Sequence, residues 1–133
     1  MTHALGGIAE VESGPAKVAV NGNGHVAFRG EIGTREADVK IVEQVGRVHA
    51  AARAASLPEV FVDIRELSFV NSSNIRIFVD WVMNAKGDGT VPPYKLHFIA
   101  KKTVSWQRLM LSALDALASD VVIVDFSDVA GKS

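Results

Sequence analysis

Two hydroxyls stand where an apolar run gives way to a helix-forming segment: Val60-Phe61-Val62-Asp63-Ile64, then Arg65-Glu66, Leu67-Ser68-Phe69-Val70, and Asn71-Ser72-Ser73-Asn74-Ile75-Arg76. A serine at a helix start can accept a backbone N–H as a cap. The same Oγ can be offered to another protein's active site, where a phosphate would add about −1.5 to −2 charges at pH 7. It would sit at the positive end of the helix dipole, within reach of unpaired N–H groups. Arg76 lies four residues beyond Ser72, hence on the same helix side, where it could pair with a phosphate or a partner's carboxylate, or simply be solvated. Asp63, at the end of the apolar strand, could accept N–H groups of the loop near Ser72 or only fix a turn. From the residues alone, capping and switching both remain open for Ser72.

Composition limits the alternatives. The chain has 133 residues, 48% of them hydrophobic, enough for one domain with a real core. Fourteen basic and fifteen acidic side chains give a net charge of −1, against a nucleic-acid partner held by bulk electrostatics. Without cysteine there are no disulfides, thiolate metal sites or thiol nucleophiles, as suits a reducing cytosol. The four histidines, His3, His25, His49 and His97, share no ligand spacing, so no metal and no cofactor is expected. No apolar run approaches the roughly 18 residues that span a bilayer, and Met1 to Ala16 lacks a secretory pattern. The expectation is a cytoplasmic protein with neither a membrane nor a nucleic-acid partner.

The elements that must position the hydroxyls follow from periodicity. Residues 1–15 read as a flexible lead-in, 16–127 as the domain and 128–133 as a short polar tail. Val18 and Val20, then Asn21-Gly22-Asn23-Gly24, then Val26 and Phe28 predict a β-hairpin. Thr34 reads as the cap of a helix whose Ile41, Val45, Val48 and Ala52 face inward. Strand 60–64 follows, then a loop, then a helix from Ser72 to Lys86 with Ile75, Phe78, Val79 and Val82 inward, ended by Gly87-Asp88-Gly89. Val91-Pro92-Pro93 is an extended connector. A strand over Tyr94 to Ala100, a helix over Thr103 to Leu117 and a strand over Val121 to Phe126 complete the order. The third helix is expected to bury Trp106, Leu109, Met110, Ala113 and Leu117. Trp106 could instead anchor a partner beside Lys101-Lys102, with Thr103 and Arg108 at the same helix start. Trp81 lies off the inward stripe, as a satellite core residue or an oligomer contact. Strands alternating with helices predict an α/β fold: a mixed, mostly parallel sheet of about five strands with helices packed against it.

With these elements the chain resembles the STAS family, which includes bacterial anti-sigma-factor antagonists and the cytoplasmic domains of sulfate transporters. The resemblance covers about Lys17 to Phe126. It rests on the element order and on Val60-Phe61-Val62-Asp63-Ile64, Leu67-Ser68-Phe69-Val70 and Asn71-Ser72-Ser73. That run is similar to the family's apolar strand ending in Asp, short loop and Asp-Ser-Ser-Gly. The resemblance implies a bacterial, non-enzymatic regulator of transcription whose Ser72, or less readily Ser73, is phosphorylated by an anti-sigma serine kinase and reset by a cognate phosphatase. Asp63, Phe69, Asn71, Ser73, Asn74 and Arg76 would form the motif and interface, joined by Thr103, Trp106 and Arg108. Two positions depart from the pattern: Asn71 replaces Asp, removing a carboxylate, and Asn74 replaces Gly, adding a side chain to a surface the family keeps bare. The alternatives are an unphosphorylated scaffold or ligand-binding module and, more remotely, a small-molecule hydrolase with His97 or another base in a pocket beside Ser72. A homodimer is left open.

Overall fold

The computed structural model describes residues 5–35, 38–87, 89–90 and 92–127. Their strands are β1 (Val11–Ser13), β2 (Ala16–Asn21), β3 (His25–Ile32), β4 (Glu59–Val70), β5 (Lys95–Ala100) and β6 (Val122–Phe126). The helices are α1 (Val39–Ala54), α2 (Ser72–Lys86) and α3 (Ser105–Leu117). The six strands lie in chain order in one sheet. β1, β2 and β3 pair antiparallel, and β3 to β6 pair parallel. Because successive parallel strands step across the sheet in one direction, right-handed crossovers deliver every helix to the same face. Accordingly α1 packs on α2 and α2 on α3.

Alternation does the rest. Val26 and Phe28, Val60, Val62 and Ile64, and Leu96 and Phe98 are buried beneath the helices. Their neighbours point to the open face, where Phe61 stacks between His25 and His97 at centroid distances of 4.7 and 4.8 Å. Asn21-Gly22-Asn23-Gly24 turns the β2–β3 hairpin as expected, with Gly24 at φ 89°. The α1 stripe Ile41, Val45, Val48 and Ala52 is buried.

Several expectations are corrected. The domain begins earlier than residue 16: Leu5 is fully buried, Val11–Ser13 adds a sixth strand, and buried Gln44 donates to the Ala9 carbonyl at 2.7 Å. The region after Ile64 is not a loop. β4 runs on to Val70 against β3, absorbing two extra residues through register shifts at Ala27/Arg29 and Gly30/Glu31. Asp38, not Thr34, caps α1. α3 starts two residues late and is rotated: Gln107, Met110, Leu111 and Leu114 are buried, whereas Leu109, Ala113 and Leu117 are exposed. On α2, Asn74, Ile77, Trp81 and Ala85 join Phe78 and Val82 inside, and Ile75 and Val79 are partly covered. Trp81 is core, its Nε1 donating to the Tyr94 hydroxyl at 2.9 Å. Glu36, Ala37, Asp88, Val91 and the 128–133 tail lie outside the described residues.

Gly30 shows what the β3–β4 irregularity requires. Its φ is +85°, and an added Cβ would collide with the Pro15 carbonyl oxygen. Backbone strain of about 1–3 kcal/mol then adds to a clash with main chain that has no rotamer to escape into. Gly30→Ala is expected to lose about 3 kcal/mol or more in urea denaturation, whereas Gly46→Ala, at an open helical position, gains up to about 1 kcal/mol.

Candidate functional site

The site is built from polar groups that the sheet ends bring together. At the C-terminal ends of β3 and β4, the Asn71 N–H donates to the Ile32 carbonyl at 3.0 Å, placing the segment after β3 against the start of α2. Asn71 caps α2, its Oδ1 accepting the Asn74 N–H at 3.1 Å, while its Nδ2 donates to the Thr34 carbonyl at 2.5 Å. Asn74, fully buried, completes the joint. Its Oδ1 accepts the Asp38 N–H at 2.8 Å, and its Nδ2 donates to the Thr34 carbonyl at 3.0 Å, to Thr34 Oγ1 at 3.2 Å and to Asn71 Oδ1 at 2.7 Å. Asp38 then caps α1 through Ile41 N–H at 3.3 Å and accepts the Ser13 hydroxyl at 2.6 Å. One network thereby fastens β1 and the starts of α1 and α2.

This network determines the state of the hydroxyls. With Asn71 as cap, Ser72 occupies the first turn of α2, exposed, and its hydroxyl has no hydrogen bond to any described residue. Ser73 is equally exposed. The backbone N–H groups of Ser72 and Ser73, the first two of the helix, have no acceptor among the described residues. Ser72 therefore does not cap the helix, contrary to that reading of the sequence.

Around the hydroxyls, Phe69 is 47% exposed. Arg76 is exposed one turn along α2 and pairs with no described residue. Trp106 is half-buried, its Nε1 donating to the Ser68 carbonyl at 3.0 Å, which brings the start of α3 to the same end of the sheet. Thr103 is exposed in the β5–α3 connection. Gln107, which the sequence did not single out, is fully buried and donates to the Ile64 and Leu67 carbonyls at 2.7 and 3.1 Å, where β4 departs from β5.

Three site expectations fail on geometry. Asn74 is not part of a surface. Asp63 sits within β4, its carboxylate accepting Arg65 N–H, Nε and Nη2 at 3.0, 3.0 and 2.8 Å, and does not reach the Ser72 loop. Burial works to raise its pKa, but the Arg65 hydrogen bonds and charge hold it below the ordinary carboxylate range. Arg108 lies on the β6 side of α3, in a cleft with Val124 and Phe126. His97, one base considered for a hydrolase, is not beside Ser72: it pairs in register with Phe61 near the start of β4, whereas Ser72 follows its end. No group of three His, Cys, Asp or Glu side chains suited to a metal exists among the described residues. None of the described helices is long and apolar enough to cross a membrane.

A second concavity, a cleft of about 510 Å³ between α1 and α2, is lined by Val42, Gly46, His49, Arg76, Asp80 and Trp81 among others. At its base His49 Nδ1 meets the Tyr94 hydroxyl at 2.7 Å. Burial pushes the Tyr94 pKa up to about 12, while burial and the Arg53 charge push His49 down.

Comparisons with known proteins add one structural likeness. No family model matches the chain, and no curated protein matches it. The crystal structure of an anti-sigma factor antagonist from Mycobacterium paratuberculosis is similar over 85% of this chain and 90% of that one, at 17% identity and a TM-score of 0.49.

The network is open to test. Asn74→Ala leaves the buried Asp38 N–H without its acceptor, at about 1–3 kcal/mol for the stranded donor, and removes one of the two side-chain amides that meet the Thr34 carbonyl. Asn74→Asp keeps the shape but points a carboxylate at the Thr34 carbonyl and Asn71 Oδ1. Both variants are expected to lose about 2–5 kcal/mol in urea denaturation at neutral pH, against less than about 0.5 kcal/mol for Ser73→Ala.

Proposed function

We propose that the protein is a STAS-domain regulator of the anti-sigma-factor-antagonist type, non-enzymatic itself, that switches partners when Ser72 is phosphorylated. The observation that carries this reading is an exposed serine hydroxyl with no hydrogen bond to any described residue, at the start of a helix whose capping is done by its neighbour Asn71. In the forward step a partner serine kinase transfers the γ-phosphoryl of ATP to Ser72 Oγ. The O–P bond forms as the bond to ADP breaks, and the hydroxyl proton passes to the kinase's base. A cognate phosphatase hydrolyses the ester.

The phosphate is accommodated without unfolding, because the Ser72 and Ser73 N–H groups and the α2 dipole favour an anion there. Asn71, unlike the aspartate it replaces, adds no negative charge beside it. The unmodified face, Phe69, Ser72, Ser73 and Arg76 with Thr103 and Trp106 nearby, packs against the kinase. A dianion in that contact is repelled and must be desolvated, so the complex separates. The cleft between α1 and α2 favours the second reading, a ligand-binding module in a signalling complex that is never phosphorylated.

Two measurements separate the readings. Intact-mass spectrometry of the protein isolated from its own cells is expected to show a phosphorylated fraction that Ser72→Ala abolishes. In calorimetry with a partner serine kinase of the anti-sigma type, Ser72→Ala is expected to bind like wild type and Ser72→Asp at least about tenfold more weakly, roughly 1.4 kcal/mol. Equal binding by both variants, with no phosphorylated species in cells, supports the ligand-binding reading instead.

A further inference from the structure

The two edges of the sheet are finished differently. β1 is three residues long, and its Glu12 is paired with Lys17 at 3.2 Å. Short edge strands and charge discourage pairing with another chain. β6, Val122-Ile123-Val124-Asp125-Phe126, has neither proline nor lysine, and Asp125 is its one charge. The Leu96 N–H donates to the Val121 carbonyl at 2.7 Å, and the Ser127 N–H to the Ala100 carbonyl at 2.8 Å. Odd-numbered peptide groups thus face β5, and strand alternation turns those of Val124 and Phe126 and the Val122 carbonyl outward, the Val122 N–H being donated to the Ala118 carbonyl at 3.1 Å. Phe126 is 41% exposed.

Beside this edge a cleft of about 400 Å³ separates β6 from α3, lined by Arg108, Leu111, Ser112, Asp115, Val124 and Phe126. Arg108 and Asp115 are two helical turns apart on that side of α3, with Leu111 midway. Both are exposed, and neither pairs with a described residue. A two-fold axis through Val124 sets β6 antiparallel to its own copy, with Val124 opposite Val124 and Val122 opposite Phe126. The same axis runs the two α3 helices antiparallel, so Arg108 of each copy meets Asp115 of the other, twice. The Val124 groups bond to their own copies and each Phe126 N–H can donate to the Val122 carbonyl of the other copy, so the edge complements itself in these hydrogen bonds, in apolar surface and in charge, which is what an isologous contact needs.

We propose that β6 and the adjoining side of α3 form a homodimer interface that continues the sheet across a two-fold axis. It lies apart from Ser72, so the dimer and the Ser72 switch stand or fall separately.

Charge exchange in the full chain tests it by sedimentation equilibrium at low salt. The wild type is expected to populate a species of twice the monomer mass. Arg108→Asp sets two carboxylates against each other at both ends of the contact, and Asp115→Arg sets two guanidinium groups against each other there. Each variant is expected to weaken self-association at least tenfold while keeping the wild-type thermal transition. In an equimolar mixture of the two variants, one copy brings carboxylates and the other guanidinium groups, so every pair is again opposite in charge. That mixture is expected to dimerise, as is the variant carrying both substitutions. A wild type that stays monomeric, including one that captures a different protein along this edge, overturns the proposal. So do single variants that associate like wild type.

Discussion

The structure depends on a buried carboxamide. Asn74 reaches from the first turn of α2 to the segment that leads into α1, satisfying the Asp38 N–H and the Thr34 carbonyl together and bracing the Asn71 cap. Buried main-chain groups away from water must be paired. Two loops approach each other here without a ladder to satisfy them, and one planar side chain with a donor end and an acceptor end meets both. Asp38 extends the tie to β1 and α1.

The hydroxyl follows from that arrangement. Helix starts normally recruit a serine oxygen to absorb an orphan N–H. Here the Asn71 side chain does so, and Asn74 holds Asn71 in place, so Ser72 is rigidly displayed without being used. In the proposed switch, an exposed hydroxyl beside two helix N–H groups that have no acceptor among the described residues would change its charge without a change of fold. Asn74, read in the sequence as a departure from the pattern the chain resembles, is compatible with that display because its side chain turns inward.

How much of this was legible depended on whether the deciding contacts are local. The hairpin was readable because Asn21-Gly22-Asn23-Gly24 carries its own turn chemistry, and α1 because Ile41, Val45, Val48 and Ala52 keep one period. β4 beyond Ile64 was not: its register shifts break the alternation, so Arg65, Glu66 and Ser68 read as a loop. α3 is apolar on more than one side and buries Gln107, so periodicity selected Leu109 and Leu117, which are exposed. A three-residue β1 leaves no pattern to find. Ser72 was legible as a residue, but not its freedom, because Asn74 finds its partners 36 and 40 residues upstream, at Asp38 and Thr34. A buried polar residue at a helix start looks like any surface one until the fold supplies those partners.

Amide hydrogen exchange by NMR on the unmodified protein tests this account most directly. The Asp38 N–H, held by Asn74 Oδ1, is expected to exchange as slowly as core amides such as that of Phe98, while those of Ser72 and Ser73 exchange at nearly unprotected rates. Rapid exchange at Asp38, or protection at Ser72, would contradict it.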